Sequence, residues 1–181
     1  NIEDVIDGIN QKLIRRHPHV FGDTEVTSVS GVIENWDRIK KSEAPWERQS
    51  VLDGVPKDLP ALMKAEKIQS KAAKVGFDWE NMEGPLSKVR EEFDEFEELI
   101  QTENSSLPDN PDRDKLEEEF GDILFALVNV GRVMKINPEL ALLRTNNKFV
   151  KRFQYIEKRA TEAGRNLTEM TLDEMDTLWE E

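Results

Sequence analysis

At 181 residues the chain has room for one domain, or one plus part of another, with a core adequate for stability. Its 37% apolar and 35% charged residues suit a soluble helical protein, and a net charge of −13 argues against nucleic acid or an anionic membrane as a partner. With no Cys there are no disulfides, which fits a cytoplasmic protein, and no apolar run nears the roughly 18 residues needed to span a bilayer. No signal peptide is visible, and because the chain starts at Asn1 it is expected to have lost its true beginning.

Ile2, Val5, Ile6, Ile9 and Leu13 recur at helical spacing, so residues 2–16 are predicted to form an amphipathic helix. His17-Pro18-His19 ends it, since the residue before proline disfavours the helical region. Two histidines there could be ligands, but capping and packing of the helix end is the plainer reading. Residues 22–60 read as irregular, with a short helix near 30–41 carrying Val32, Ile33, Trp36 and Ile39. Pro45, Asp53-Gly54, Pro56 and Pro60 mark turns around it. Trp46 is expected to anchor the linker, with a binding aromatic as the alternative, and a domain boundary is placed near residue 57.

Pro60 begins the next helix and Gly76 suits its C-terminal cap. Ala61, Leu62, Ala65, Ile68, Ala72 and Ala73 give it a small-residue face that permits close approach. Lys67, Lys71 and Lys74 read as a solvated flank, with phosphate contact as the alternative. Phe77-Asp78-Trp79 is expected to plug the end of the bundle.

Two acidic helical segments follow, Lys88 to Ile100 and Leu116 to Met134. Glu92 and Glu95 in the first, and Glu119 and Asp122 in the second, are each three residues apart. At about 100° per residue each pair stacks on one side of its helix. In the first helix Leu86, Val89, Phe93, Phe96 and Ile100 make an apolar stripe, with Glu92, Glu95 and Lys88 on its flank. In the second, Leu116, Phe120, Ile123, Leu127, Val130 and Met134 form the stripe, Glu119 lies near its centre line and Asp122 beside it. Past Asp122 this helix is apolar almost all round and is expected to be buried on most sides. Carboxylates there are costly unless paired or metal-bound, and four together repel without cations between them. The bland alternative is a solvated, salt-bridged face, which suits Glu97, Glu98, Glu117 and Glu118 better than Glu119 and Asp122.

The ligand chemistry narrows the metal. An all-oxygen set suits magnesium, manganese or calcium, and His17 and His19 lie far away in sequence. Magnesium usually keeps waters and bridges carboxylates to substrate phosphates, so a phosphate-bearing substrate is the natural inference.

Between and beyond these helices the punctuation is clear. E-N-S-S-L-P-D-N-P-D-R-D is a polar loop, Asp114 with Glu117 reads as a capping pair, and Gly131 hints at tight packing. Asn137-Pro138-Glu139 starts a helix that Gly164 stops, with Leu142, Phe149, Phe153 and Ile156 facing inward. Lys148 and Arg152 flank that stripe, either as a surface basic pair or as phosphate contacts. Thr171 and Glu174 form a capping box for a last helix carrying Met175, Leu178 and Trp179.

Glu91-Glu92-Glu95 followed by Glu119 and Asp122 resembles the E-E-x-x-E and E-x-x-D signature of the MazG family of nucleoside triphosphate pyrophosphohydrolases. R-R-H-P-H-V-F-G at 15–22, L-P-A-L-M-K-A-E-K-I-Q at 59–69, V-G-F-D-W at 75–79 and N-K-F-V-K-R-F at 147–153 agree in order. The resemblance implies an all-α helical bundle of the all-alpha NTP pyrophosphatase type, completed by homodimerisation. It implies residues 1–57 as the tail helix of an upstream repeat plus linker, without that repeat's acid motif, and 58–181 as the catalytic domain. It further implies hydrolysis of nucleoside triphosphates to monophosphate and pyrophosphate by attack at the α-phosphorus. Glu92, Glu95, Glu119 and Asp122 would hold Mg²⁺, with Mn²⁺ a possible substitute. Glu91 is a candidate for orienting water or acting as general base, and Glu98 for a further outer acid. Lys88, Lys148 and Arg152 would contact phosphates. Trp179 matches an aromatic that can stack on the base, or is a core or dimer-contact residue. The competing reading is a non-catalytic helical module that binds nucleotides or protein partners and retains the acidic metal cluster. A third is a bundle stabilised by Ca²⁺.

Overall fold

The computed structural model describes residues 1–43, 50–102 and 113–181, and all regular structure among them is helical. The expected roles of Pro45 and Trp46, and most of the polar loop after the first acidic helix, lie outside the described residues. The chain forms two compact units, Asn1–Gly54 and Val55–Glu181.

The first unit holds α1 (Ile2–Arg16), α2 (Pro18–Phe21) and α3 (Val29–Ser42). Asn1 caps α1, and the Nδ1 of His17 lies 2.8 Å from the carbonyl of Leu13, so this histidine closes the helix end. Ser28 caps α3 by accepting from the amide of Gly31. Arg15 and Arg16 in the last turn of α1 both reach Glu43 at the end of α3, and these guanidiniums hold its carboxyl down at about 2. The indole of Trp36 lies against Arg16 and Lys40, 5.5 and 4.8 Å from its ring centroid. No residue of α1 is buried, so the apolar face read from Ile2 to Leu13 faces outward.

The second unit holds α4 (Ala61–Ala73), α5 (Glu83–Thr102), α6 (Arg113–Val133), α7 (Pro138–Glu162) and α8 (Leu172–Glu180). α5 and α6 pack side by side, α4 lies on α6 and α7, and α8 folds back on α7. Three helix ends use the same closure, in which two amides of a left-handed turn bond back to the last carbonyls. Gly76 (φ +91°) and Gly164 (φ +68°) make it at the ends of α4 and α7, bonding to Ala73 and Thr161. Lys135 (φ 58°) makes it after α6 despite its side chain. Asn137 caps α7 through the amide of Leu140, and Thr171 and Glu174 form the reciprocal capping box of α8. Asp114 falls inside the first turn of α6 instead of capping it, and Glu117 pairs with Arg113 at 3.1 Å.

The core is narrow: Pro85, Ile123, Ala126, Val128, Ile156 and Ala160. Several apolar positions expected inside lie outside it. On α5 Leu86, Phe93 and Ile100 are exposed, Phe93 by 50%, whereas Glu92 is only 5% exposed. On α6 Phe120 and Leu127 are exposed, as is Met134 just past its end, so the helix is not covered on most sides. On α7 Leu142 and Phe149 are exposed and Phe153 partly so, leaving Ile156 as the buried member of that stripe. The physical reason is shared. These helices carry apolar residues over a wider arc than one neighbour can cover, and within one chain the α5–α6 contact takes only part of each arc. Phe77 does not plug the bundle end, being 82% exposed. Trp79 instead packs over Gly84, where an added Cβ would fall 2.2 Å from its Cε3. Gly131 abuts the turn after its own helix, the carbonyl of Ile136 lying 3.4 Å from where its Cβ would stand.

Candidate metal centre

α5 and α6 bring the two acid pairs to one place. Pro85, Lys88, Val89, Glu92, Phe96 and Leu99 recur at three- and four-residue spacing and form the sheltered line of α5. Phe96 meets Phe120 of α6, ring centroids 6.0 Å apart. That contact brings Glu92 level with Glu119 and Asp122, and one carboxylate oxygen from each of the three lies within 4.8 Å of the others. Glu92 is buried, Glu119 half-buried and Asp122 exposed, so the centre opens to solvent on its Asp122 side.

The electrostatics follow. Loss of solvation raises the carboxyl of Glu119 above its ordinary value, and the charges of Glu95, Asp122 and Glu92, in that order, raise it further. Glu95 is exposed and stands outside the group of three, yet its charge is the strongest of its neighbours' on Glu119. Lys88 is drawn into the same centre: its Nζ lies 2.7 Å from Glu91 and 2.6 Å from Glu92. Hydrogen bonds to Glu91 and then Glu92 push the lysine above its ordinary value. Glu91 and Glu98 are exposed. Three oxygens from carboxylates, one face open to water and repulsion on Glu119 are the donor set of a hard divalent cation, and Glu92, Glu119 and Asp122 could hold one.

Lys148, Arg152 and Trp179 form a separate group on α7 and α8. Lys148 and Arg152 are exposed, one turn apart. The Arg152 guanidinium lies 5.2 Å from the Trp179 ring centroid, and Phe149 meets the same ring at 5.1 Å. Trp179 is half-buried there. A cavity of about 470 Å³ lies nearby, at the turn between α7 and α8. The arginines lining it, Arg159 and Arg165, are paired with Glu162 and Glu174, and none of the predicted site residues lines it.

Two supports escaped the sequence reading. Gln69 of α4 is buried and donates from Nε2 to the carbonyl of Phe125, three residues past Asp122, while its Oε1 is buried without a partner. Its signal was present: Gln69 continues the stripe of Leu62, Ala65 and Ala72, where a polar residue is out of place. Asp78 grips Arg132, at the far end of α6, through both carboxylate oxygens, and the guanidinium holds Asp78 below its ordinary value. Nothing in local spacing announces that pair, which joins residues 54 apart.

The helical fold and this centre together define an all-α protein with an acidic site able to bind a divalent metal. The chain belongs to the MazG nucleotide pyrophosphohydrolase family. Residues 81–156 match the MazG nucleotide pyrophosphohydrolase domain. The chain is 40% identical to the Nucleoside triphosphate pyrophosphohydrolase of Escherichia coli, over the whole chain and 67% of that protein. It is also 40% identical to the Nucleoside triphosphate pyrophosphohydrolase/pyrophosphatase MazG of Thermotoga maritima, over 99% of the chain and 64% of that protein. It is 53% identical to YabN of Bacillus subtilis, described as uncharacterized, over 99% of the chain and 35% of that protein. The chain thus spans between about a third and two thirds of these relatives' length. Among the described residues no helix is long and apolar enough to cross a membrane.

Proposed function

We propose that residues 58–181 are a catalytic domain that hydrolyses nucleoside triphosphates to the monophosphate and pyrophosphate, and that residues 1–57 are the tail helix of an upstream repeat plus linker. The observation that carries the activity is the convergence of Glu92, Glu119 and Asp122 within 4.8 Å. The names of the Escherichia coli and Thermotoga maritima relatives support the same reaction. Glu92, Glu119 and Asp122, with Glu95 beside them, would hold Mg²⁺, for which Mn²⁺ could substitute. When bound, the metal neutralises polyphosphate charge, polarises phosphoryl oxygens and acidifies water. The chain's own groups do the positioning on which phosphoryl transfer depends. Glu91, exposed at the rim, accepts a proton from or orients the attacking water. Lys88, Lys148 and Arg152 bind the phosphates, Arg152 in the bidentate manner a guanidinium permits. Trp179 offers an aromatic face to the base. The protein acts in the cytoplasm as a homodimer, a second copy covering the apolar residues that α5, α6 and α7 leave exposed, among them Phe93, Phe120 and Leu127.

The test is product analysis after incubation with each nucleoside triphosphate and Mg²⁺. Monophosphate and pyrophosphate, both lost on Asp122→Asn, are expected. Diphosphate and orthophosphate would make this a different phosphohydrolase. Metal binding without turnover of any triphosphate would favour the non-catalytic module.

A further inference from the structure

The two partners in the Lys88–Glu92 contact are held very differently. The Glu92 side chain is 7% exposed, whereas that of Lys88 is 41% exposed. The carboxylate is fixed between α5 and α6, while the lysine reaches it from solvent, one helical turn away, and touches the exposed Glu91 as well. Glu92 is also one of the three acids whose oxygens converge within 4.8 Å. A buried carboxylate beside two others needs positive charge at hand. Among the described residues the ammonium of Lys88 is the cation paired with that group of three.

We propose that Lys88 is the built-in counter-cation of the metal centre. It holds the charge of Glu92 while no metal is bound, and it gives up that carboxylate when a divalent cation takes it. The released ammonium then turns toward the polyphosphate that arrives with the metal. This rests on the metal-centre reading above and adds to it a competition between two cations for one buried acid. The Glu92 side chain is buried on α5, which packs on α6, so burial as well as the lysine restrains it. An ammonium within a few ångströms of a divalent ion opposes its binding even at an effective dielectric of about 20. Removing the lysine therefore tightens metal binding, whereas a lysine that merely oriented Glu92 would weaken it when lost.

The experiment measures Mn²⁺ binding without nucleotide, by the electron paramagnetic resonance signal of free Mn²⁺, together with melting temperature in chelator and in metal. The proteins are the full chain, Lys88→Met, Lys88→Gln as a second neutral variant, Lys88→Arg, and Lys158→Met. The last removes the same unit of charge from α7, where Lys158 pairs with Glu162 at 3.8 Å. Both neutral Lys88 variants are expected to bind Mn²⁺ about tenfold tighter than the wild type. They should melt lower in chelator and gain more on adding metal. Lys88→Arg and Lys158→Met should stay within about twofold of wild type. Unchanged or weaker Mn²⁺ binding in both neutral variants would overturn the proposal, as would equal tightening in Lys158→Met. A wild-type chain that takes up no Mn²⁺ would overturn the metal centre itself, a result distinct from a failure of Lys88 alone.

Discussion

Gln69 on α4 hydrogen-bonds the backbone of α6 at 2.8 Å, reaching the carbonyl of Phe125 one turn past Asp122. The bond ties the helix that carries Glu119 and Asp122 to a neighbour that carries no acid of the centre. Gln69→Ala should lose this bond and open a small void, at about 2 kcal/mol by urea denaturation. Gln69→Met should cost less than about 1 kcal/mol, because it fills the space and removes the unpartnered Oε1. An alanine variant as stable as the wild type would show that the α4–α6 contact does not depend on Gln69.

Glu119 gives the metal-free protein a pH dependence of known sign. Its folded-state carboxyl titrates above its unfolded value, so the folded state holds the proton more tightly. Its contribution to stability is therefore unfavourable once pH rises above the unfolded value, and it grows until the folded group ionises. Glu119→Gln should raise the melting temperature in chelator at pH 7, should lose that advantage near pH 4, and should abolish turnover. A variant that melts lower than wild type in chelator at pH 7 would contradict carboxylate repulsion.

Glu43 works in the opposite sense. Arg16 and Arg15 hold it at about 2, below its ordinary value of 4.5. The ion pairs stabilise the first unit fully above about pH 4.5 and are lost as pH falls toward 2. Glu43→Gln should cost about 1–2 kcal/mol at pH 7 and well under half of that at pH 2, followed by tryptophan emission, to which Trp36 beside Arg16 contributes. An equal loss at both pH values would exclude the ionic origin.

Arg152→Ala should weaken triphosphate binding about tenfold or more and monophosphate binding much less. The same change removes the cation from the face of Trp179, so the emission of that indole should shift without nucleotide. Equal losses for both nucleotides, by calorimetry, would contradict a polyphosphate role.

Much of the fold was legible because its signals are local. The period of Ile2, Val5, Ile6, Ile9 and Leu13 marks α1, Asn137-Pro138 starts α7, Gly76 and Gly164 close helices in the left-handed region, and Thr171 with Glu174 caps α8. The orientation of the helices was not. Counting apolar residues put Phe93 inward and Glu92 on a flank, and the structure has the reverse. Hydrophobicity shows that a helix has a face, not which part of a wide face its neighbour takes. An acid with a lysine one turn before it can be taken inward at lower cost than its charge alone implies.

The sequence by itself determined the helical class, the caps, and an all-oxygen set of acids at one-turn spacing, because each depends on residues within a turn or two of one another. Only the tertiary structure decided that Glu92, Glu119 and Asp122 share one point while Glu95 stands just outside, that Lys88 rests on Glu92, and that Gln69 and the Asp78–Arg132 pair hold α6 at two points along its length. Those facts depend on the relative rotation and register of separate helices, which side chains distant in the chain settle together.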